Sequence, residues 1–332
     1  MKTKIVKYIF IILVKIILFT NFTFAYGQTE NFESWLISFK KRALNQGVSQ
    51  ETINISFKNV KFLEQVIKYD RKQPEFIEDT ITYVSKRASI SRATTAKKLY
   101  IKNKKLFSDV ELEFGVEKEI LLSLWGIETN FGKYVGKMDI ISSLATLSFD
   151  KRRSEFFSKQ LLILLKLIDK KLINPINYQG SWAGAYGNFQ FMPSTINSYA
   201  IDYDNNNKIE LKNSLDDALA SAANYIKKIG WKKDQPCFYR VKLTKKIDEK
   251  YINYSARKIK SKYKVSKWKK RGVVKFDGTE FESNNVGALI LPDGKPNSPM
   301  YLVFGNYEKI LKWNRSLRFG ISVCTLANMI KI

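Results

Sequence analysis

The stretch LWGIETNFG, residues 124–132, places an acid on the apolar side of a helical repeat. Leu121, Leu124 and Trp125 precede Glu128 by seven, four and three positions, so at about 3.6 residues per turn all four share one face. The pattern predicts a helix from Glu117 to Ile127, with Asn130 and Gly132 as its stop. A face this apolar has to point into the protein. Burial disfavours the ionised form of Glu128, and the negative end of the helix dipole acts in the same direction. Both favour a carboxylic acid that keeps its proton near neutral pH, as a general acid must. The plain alternative on this stretch alone is a buried Lys or Arg partner, or escape to solvent at the helix end.

Carboxylates have to carry any acid and base work, because the chain contains no histidine. Ser-His-Asp and Cys-His catalysis and His-ligated zinc are thereby excluded. With 332 residues and 45% hydrophobic content, the chain can bury a core of about two domains, or of one with appendages. Its formal charge is +26. In a cytosolic protein that would point to nucleic acid, but the N-terminus argues for export and against a nucleic-acid partner. Lys2, Lys4 and Lys7 precede the apolar run YIFIILVKIILF, and Thr23 and Ala25 stand at minus three and minus one of a cleavage point. Residues 1–25 therefore read as a signal peptide. An uncleaved anchor is the competing reading, opposed by Lys15, which leaves the apolar run short of the roughly 20 residues a spanning helix needs. No Cys lies near the cleavage point to take a lipid. Two readings of the charge remain: a basic surface for an anionic polymer outside the cytoplasm, or a Lys-rich drift of the whole composition. The two cysteines, Cys237 and Cys324, are able to pair in an oxidising compartment, and the sequence leaves that open.

Helical spacing dominates residues 30–115: TENFESWLISFKKRALNQG up to Gly47, SQETINISFKNV, Glu75 to Arg87, and Arg92 to Phe114 before Gly115. It resumes in SEFFSKQLLILLKLIDKK and SLDDALASAANYIKKIGW within residues 116–232, with a loop rich in Gly between them. Short apolar runs such as CFYRVKL, GVVKF and VGALILP then predict strands in a basic, β-rich insertion over 233–304. Residues 305–332 end in a helix expected to pack back on the core. The expected class is mainly α, α+β overall.

Four strings occur in order: WGIETNFG, ISSLATLSFDKRRSEFFSKQL, YQGSWAGAYGNFQFMPST and YAIDYDNNNKIELKNSLDDALASAANYIKKIGW. Together they resemble the B family of lytic murein transglycosylases, which has a lysozyme-like catalytic core. The resemblance runs from YDRKQPEF to NYEKILKWNRS, about three quarters of the chain. It implies a periplasmic, monomeric enzyme acting on peptidoglycan strands, with partners among cell-wall synthesis or remodelling proteins and no cofactor required for catalysis. Glu128 is then the one catalytic acid and base. It splits the MurNAc to GlcNAc linkage without water and leaves a 1,6-anhydro ring, whereas an ordinary glycosidase needs a second carboxylate. Asp139, Asp150 and Glu155 are nearby but are expected to be structural. A muramidase acting on the same bond and an inactive wall-binding protein are the rival readings.

By position the resemblance assigns substrate contact to Ser181 and Gln190, whose hydroxyl and amide suit a glycan. Tyr83, Tyr307 and Trp313 match tyrosines along the cleft, with Asn314 following; Trp313 departs from the pattern by losing a hydroxyl. Phe189 departs too, standing where many members carry a smaller residue. It is expected to narrow the pocket or stack on a sugar. From Asp202 the chain also spaces oxygen donors like an EF-hand: Asp202, Asp204, Asn206 and the Lys208 carbonyl. Asn207 replaces the usual Gly and Asn213 the closing Glu. The family's longer loop closes later, by position at Asp216, which makes residues 202–216 a candidate structural Ca²⁺ loop. An Asn-rich surface turn is the alternative.

Overall fold

The computed structural model describes residues 31–73 and 77–332. The expected signal peptide lies outside the described residues, as do positions 74–76, where the expected helix 75–87 begins. The described residues form two compact units, divided between Gln46 and Gly47. In the first, helix α1 (Phe32–Asn45) starts where the Asn31 side chain accepts the Ser34 N–H, and Trp35 stacks on Phe39 with ring centres 5.2 Å apart.

The second unit opens with α2 (Gln50–Phe57), α3 (Glu64–Arg71), α4 (Thr80–Arg87), α5 (Ile90–Lys102), α6 (Lys104–Phe114) and α7 (Lys118–Thr129). Strand β1 (Met138–Asp139), helices α8 (Ile140–Phe149) and α9 (Ser154–Asp169), strand β2 (Gln179–Gly180), α10 (Pro193–Tyr199) and α11 (Leu215–Lys228) follow. Side-chain oxygens of Ser49, Asp79, Ser89, Asp139 and Ser214 cap α2, α4, α5, α8 and α11. Each satisfies an N–H that the helix itself cannot. One helix was expected over 92–114, but the chain breaks at Asn103. Its N–H and its Nδ2 both turn back to the Leu99 carbonyl, at 3.1 and 2.9 Å. A short amide side chain competes in this way for the backbone it would otherwise continue.

The C-terminal part holds β3 (Phe238–Leu243), β4 (Ile252–Asn253), β5 (Tyr263–Lys264), α12 (Val265–Lys270), β6 (Val273–Lys275), β7 (Val286–Ile290) and β8 (Met300–Val303). Helices α13 (Gly305–Trp313) and α14 (Leu317–Ile330) close the chain. The strands pair in the order β4-β7-β8-β3-β6, antiparallel except for β4 with β7, and β5 adds to β7. Val241, Leu289 and Leu302 face Trp268, whose indole N–H reaches the Gly287 carbonyl at 2.8 Å. The fold is thus mostly helical with a small sheet, as expected, and the short helix α12 lies within the stretch read as β-rich.

The main core gathers around α7, buried from Ile120 through Gly126 and packed on α14, α5 and α11. Ala218, Ala220, Ala222 and Ala223 let α11 approach closely. A disulfide joins Cys237, just ahead of β3, to Cys324 in α14, with Cα atoms 6.1 Å apart across 87 residues. Closing a loop of that length stabilises a fold by about 4.6 kcal/mol in the chain-entropy account. The pairing left open by the sequence is therefore made, and it ties the sheet to the helix that backs α7.

Candidate active site

Glu128 lies in the last turn of α7, half-buried. The helix stops because Asn130 and Phe131 turn left-handed, with φ of 49° and 60°. Asn130 N–H then donates to the Gly126 carbonyl at 3.1 Å and Phe131 N–H to the Trp125 carbonyl at 3.2 Å. Such φ values are uncommon outside glycine, so the surroundings have to hold them. They do so through Thr129, whose Oγ1 accepts the Gly132 N–H at 2.9 Å and donates to the Asn188 carbonyl at 2.8 Å. Asn188 is buried and accepts the Trp125 indole N–H at 2.9 Å, while its Nδ2 donates to the carbonyls of Leu211 and Lys212. One amide thus locks α7 to two loops. Sequence reading passed over Asn188, since a polar residue in a Gly-rich loop gives no local sign of burial.

Trp313, at the end of α13, donates its indole N–H to Glu128 Oε1 at 2.8 Å. The indole stacks on Tyr225 with centres 5.1 Å apart and meets Phe191 edge-on at 5.4 Å and Phe189 at 6.3 Å. Phe189 and Phe191 are both buried. Phe189 accordingly walls Trp313 and offers no ring to a sugar, which removes the stacking alternative for that position. Tyr225 was also unforeseen. Burial, with Tyr199 beside it, pushes its hydroxyl pKa up to about 12, so it stays protonated and donates to the Lys312 carbonyl.

Between the two phenylalanines, Gln190 adopts φ 51°, and its Nε2 donates to the carbonyls of Val135 and Gly187 at 3.2 and 2.9 Å. Its Oε1 has no partner among the described residues and is left as an acceptor. The loop that follows α7 also meets Ser181. Strands β1 and β2 pair there, and a Cβ on Gly136 would strike the Gly180 carbonyl. Ser181 Oγ accepts the N–H groups of Ala183 and Ala185 at 3.3 and 3.0 Å, which shapes a tight turn. Its hydroxyl proton has no acceptor among the described residues. Glu128, Gln190, Trp313 and Ser181 are thereby joined through one contiguous set of contacts, with Asn314 half-buried directly after Trp313.

Two expected cleft residues do not fit that role. Tyr307 is fully buried, and its hydroxyl donates to the Leu317 carbonyl at 2.7 Å while its ring lies against Gly320. Tyr83 is 1% exposed, with the Arg87 guanidinium 3.4 Å over its ring. Both belong to the packed core, because the ring face a sugar would need is already covered. The nearby carboxylates are committed elsewhere. Asp139 caps α8 at 2.6 Å, Asp150 forms a two-point pair with Arg71, and Glu155 is exposed in the first turn of α9.

The acidic loop closes one residue later than the resemblance implied. Carboxylate oxygens of Asp202, Asp204 and Asp217 lie within 4.8 Å of one another, whereas Asp216 is exposed. Asp217 is fully buried, accepting the N–H groups of Tyr203 and Glu210 at 2.8 Å each. Successive helix positions differ by about 100°, so only one of two adjacent aspartates can face the loop. Asn206 accepts the Lys208 N–H and gives its own N–H to Asp202 and Asp204. Burial, and then the charges of Asp217 and Asp202, push the Asp204 carboxyl up. A crowd of hard oxygen donors with mutually repelling like charges suits a divalent cation such as Ca²⁺.

The fold is that of the lysozyme-like lytic transglycosylases. The pattern of the transglycosylase SLT domain matches residues 31–328, and the chain belongs to that family. The membrane-bound lytic murein transglycosylase B of Escherichia coli is 43% identical over 121 residues, 36% of this chain and 33% of that relative. The match thus spans about a third of that relative's length. SltB3 of Pseudomonas aeruginosa, solved in complex with NAG-NAM-pentapeptide and with NAG-anhNAM-pentapeptide, aligns with a TM-score of 0.81 and 32% identity. That alignment covers 91% of this chain and 80% of SltB3. The E. coli lytic transglycosylase Slt35 in complex with calcium aligns at 0.74 and 25% identity, over 89% and 92% of the two chains.

Proposed function

We propose that the chain is a peptidoglycan lytic transglycosylase in which Glu128 performs both proton transfers. The observation that carries this reading is the setting of Glu128. It is half-buried at a helix end and held by a neutral indole N–H, while Asp139 and Asp150 are engaged with a helix cap and with Arg71. A hydrolase needs a second carboxylate to act as nucleophile or to activate water. A lyase does not.

In the proposed reaction Glu128 gives its proton to the glycosidic oxygen as the bond to C1 of MurNAc breaks. The sugar passes through an oxocarbenium-like state assisted by its N-acetyl group. The carboxylate then takes the proton of the C6 hydroxyl while O6 closes on C1. The anhNAM-containing ligand of SltB3 has the form of that product, which supports the assignment. In this reading Gln190 Oε1 accepts from the glycan and the Ser181 hydroxyl donates to it, which their unused acceptor and donor support, with Asn314 as a further contact. The disulfide and the family's substrate both suit an oxidising compartment outside the cytoplasm, and among the described residues no helix is long and apolar enough to cross a membrane. Asp202, Asp204, Asn206, the Lys208 carbonyl and Asp217 would hold Ca²⁺, which braces the loop behind Asn188 and takes no part in the reaction.

Mass spectrometry of soluble products from purified peptidoglycan tests the reading. Anhydro-muropeptides, one water lighter than hydrolysis products, are expected from the wild type and none from Glu128→Gln. Reducing-end products would instead mean a muramidase.

A further inference from the structure

The contact between Trp313 and Glu128 specifies more than proximity. An indole nitrogen is a donor only and does not titrate, so it can neither accept from a carboxylic acid nor exchange roles with it. Glu128 Oε1, 2.8 Å from Trp313 Nε1, is therefore an acceptor whether the side chain is charged or neutral. In the neutral form a carboxyl has one oxygen that donates and one that accepts. The donor must be Oε2.

The indole can impose this only if its own direction is fixed, and the aromatic packing fixes it. Tyr199 stacks on Tyr225 at 4.4 Å and Tyr225 on Trp313 at 5.1 Å, with interplanar angles of 21° and 22°. The Tyr225 hydroxyl is bonded to the carbonyl of Lys312, the residue directly before Trp313. Phe191 and Phe189 meet the indole edge-on from the segment that carries Gln190. Rotation of the ring away from Glu128 would break offset and edge-to-face contacts together.

Building on the assignment of Glu128 as the acid and base, we propose that Trp313 is its positioning residue: the stacked indole holds Oε1 as a permanent acceptor, so Oε2 both delivers and recovers the proton. The balance is simple. The Oε2–H proton goes to the glycosidic oxygen as that C–O bond breaks, and the C6 hydroxyl proton returns to Oε2 as the C1–O6 bond forms. Trp313 gains and loses nothing in the cycle.

Two replacements at position 313 test this. Trp313→Phe keeps an aromatic ring and removes the N–H, and β-(3-benzothienyl)alanine keeps the indole shape with sulfur in place of N–H. Loss of one aligned hydrogen bond to a reacting group should lower kcat by about 30-fold, with KM within about threefold. The alkaline limb of the kcat–pH profile should move upward in both, because the lost donor favoured the charged carboxylate. Wild-type kcat and an unmoved pH profile in the benzothienyl protein would overturn the proposal, as would a raised KM with unchanged kcat, which is the signature of sugar stacking. Glu128→Gln assayed alongside separates the two levels. Turnover retained there removes the acid assignment itself; turnover lost there but intact in both position-313 proteins removes only the role of Trp313.

Discussion

The end of α7 at Glu128 and the loop around Asp217 use the same functional group for opposite ends. At the helix end one carboxylate receives an N–H from an uncharged indole that is itself packed among aromatic rings. In the loop three carboxylates crowd within 4.8 Å, and the buried one is saturated by backbone N–H groups. A half-buried acid bonded to an uncharged donor can hold and release a proton. Crowded acids repel one another until a cation joins them. The side chain does not decide the role; the number and charge of its neighbours do.

Glu128→Gln should separate the regions most sharply. Turnover is expected to fall by about a thousandfold or more, as for loss of an essential acid and base, with thermal stability and calcium response unchanged. A variant that also lost its calcium response would join the regions and break the contrast. Asp217→Asn should do the reverse. An amide cannot accept from both Tyr203 and Glu210, so a stability loss of about 2–3 kcal/mol is expected in denaturant unfolding. Near-normal turnover at low temperature should remain, measured on the folded fraction.

The next effect is a dependence on pH. Because the folded pKa of Asp204 is raised, its contribution to stability is present below the unfolded value of 3.8 and is lost as pH rises through the folded value. Calcium binds the ionised form and offsets that loss. The rise in Tm on adding millimolar Ca²⁺ should therefore be small near pH 4 and grow to a plateau above the folded pKa. A gain independent of pH over that range would detach Asp204 from the cation. The smallest change is expected for Asp216→Asn, within about 0.5 kcal/mol and with calcium binding intact by calorimetry, as for other exposed positions. A lost calcium response in that variant would return the closing ligand to the position implied by resemblance.

Local sequence determined the helices and the exceptional position of Glu128. Spacing at three and four residues, Asn130 and Gly132 at the end, and a cap such as Ser214 or Asp139 are all written within one or two turns. The same local signals placed strands at CFYRVKL, GVVKF and VGALILP, since alternation is also short-range. Resemblance carried the family and the acid. What neither supplied was decided at distances the local code does not reach. Trp313 meets Glu128 across 185 residues, Cys237 finds Cys324 across 87, and Asn188 bonds to carbonyls of Leu211 and Lys212. Tyr307 and Tyr83 sit where cleft aromatics were expected, yet packing covers their faces. A single residue's rotation about α11 put Asp217 inward and Asp216 outward. Periodicity says which side of an element is apolar, but only the packing of elements against one another says which residue meets which, because that depends on close-packed shape summed over the whole core.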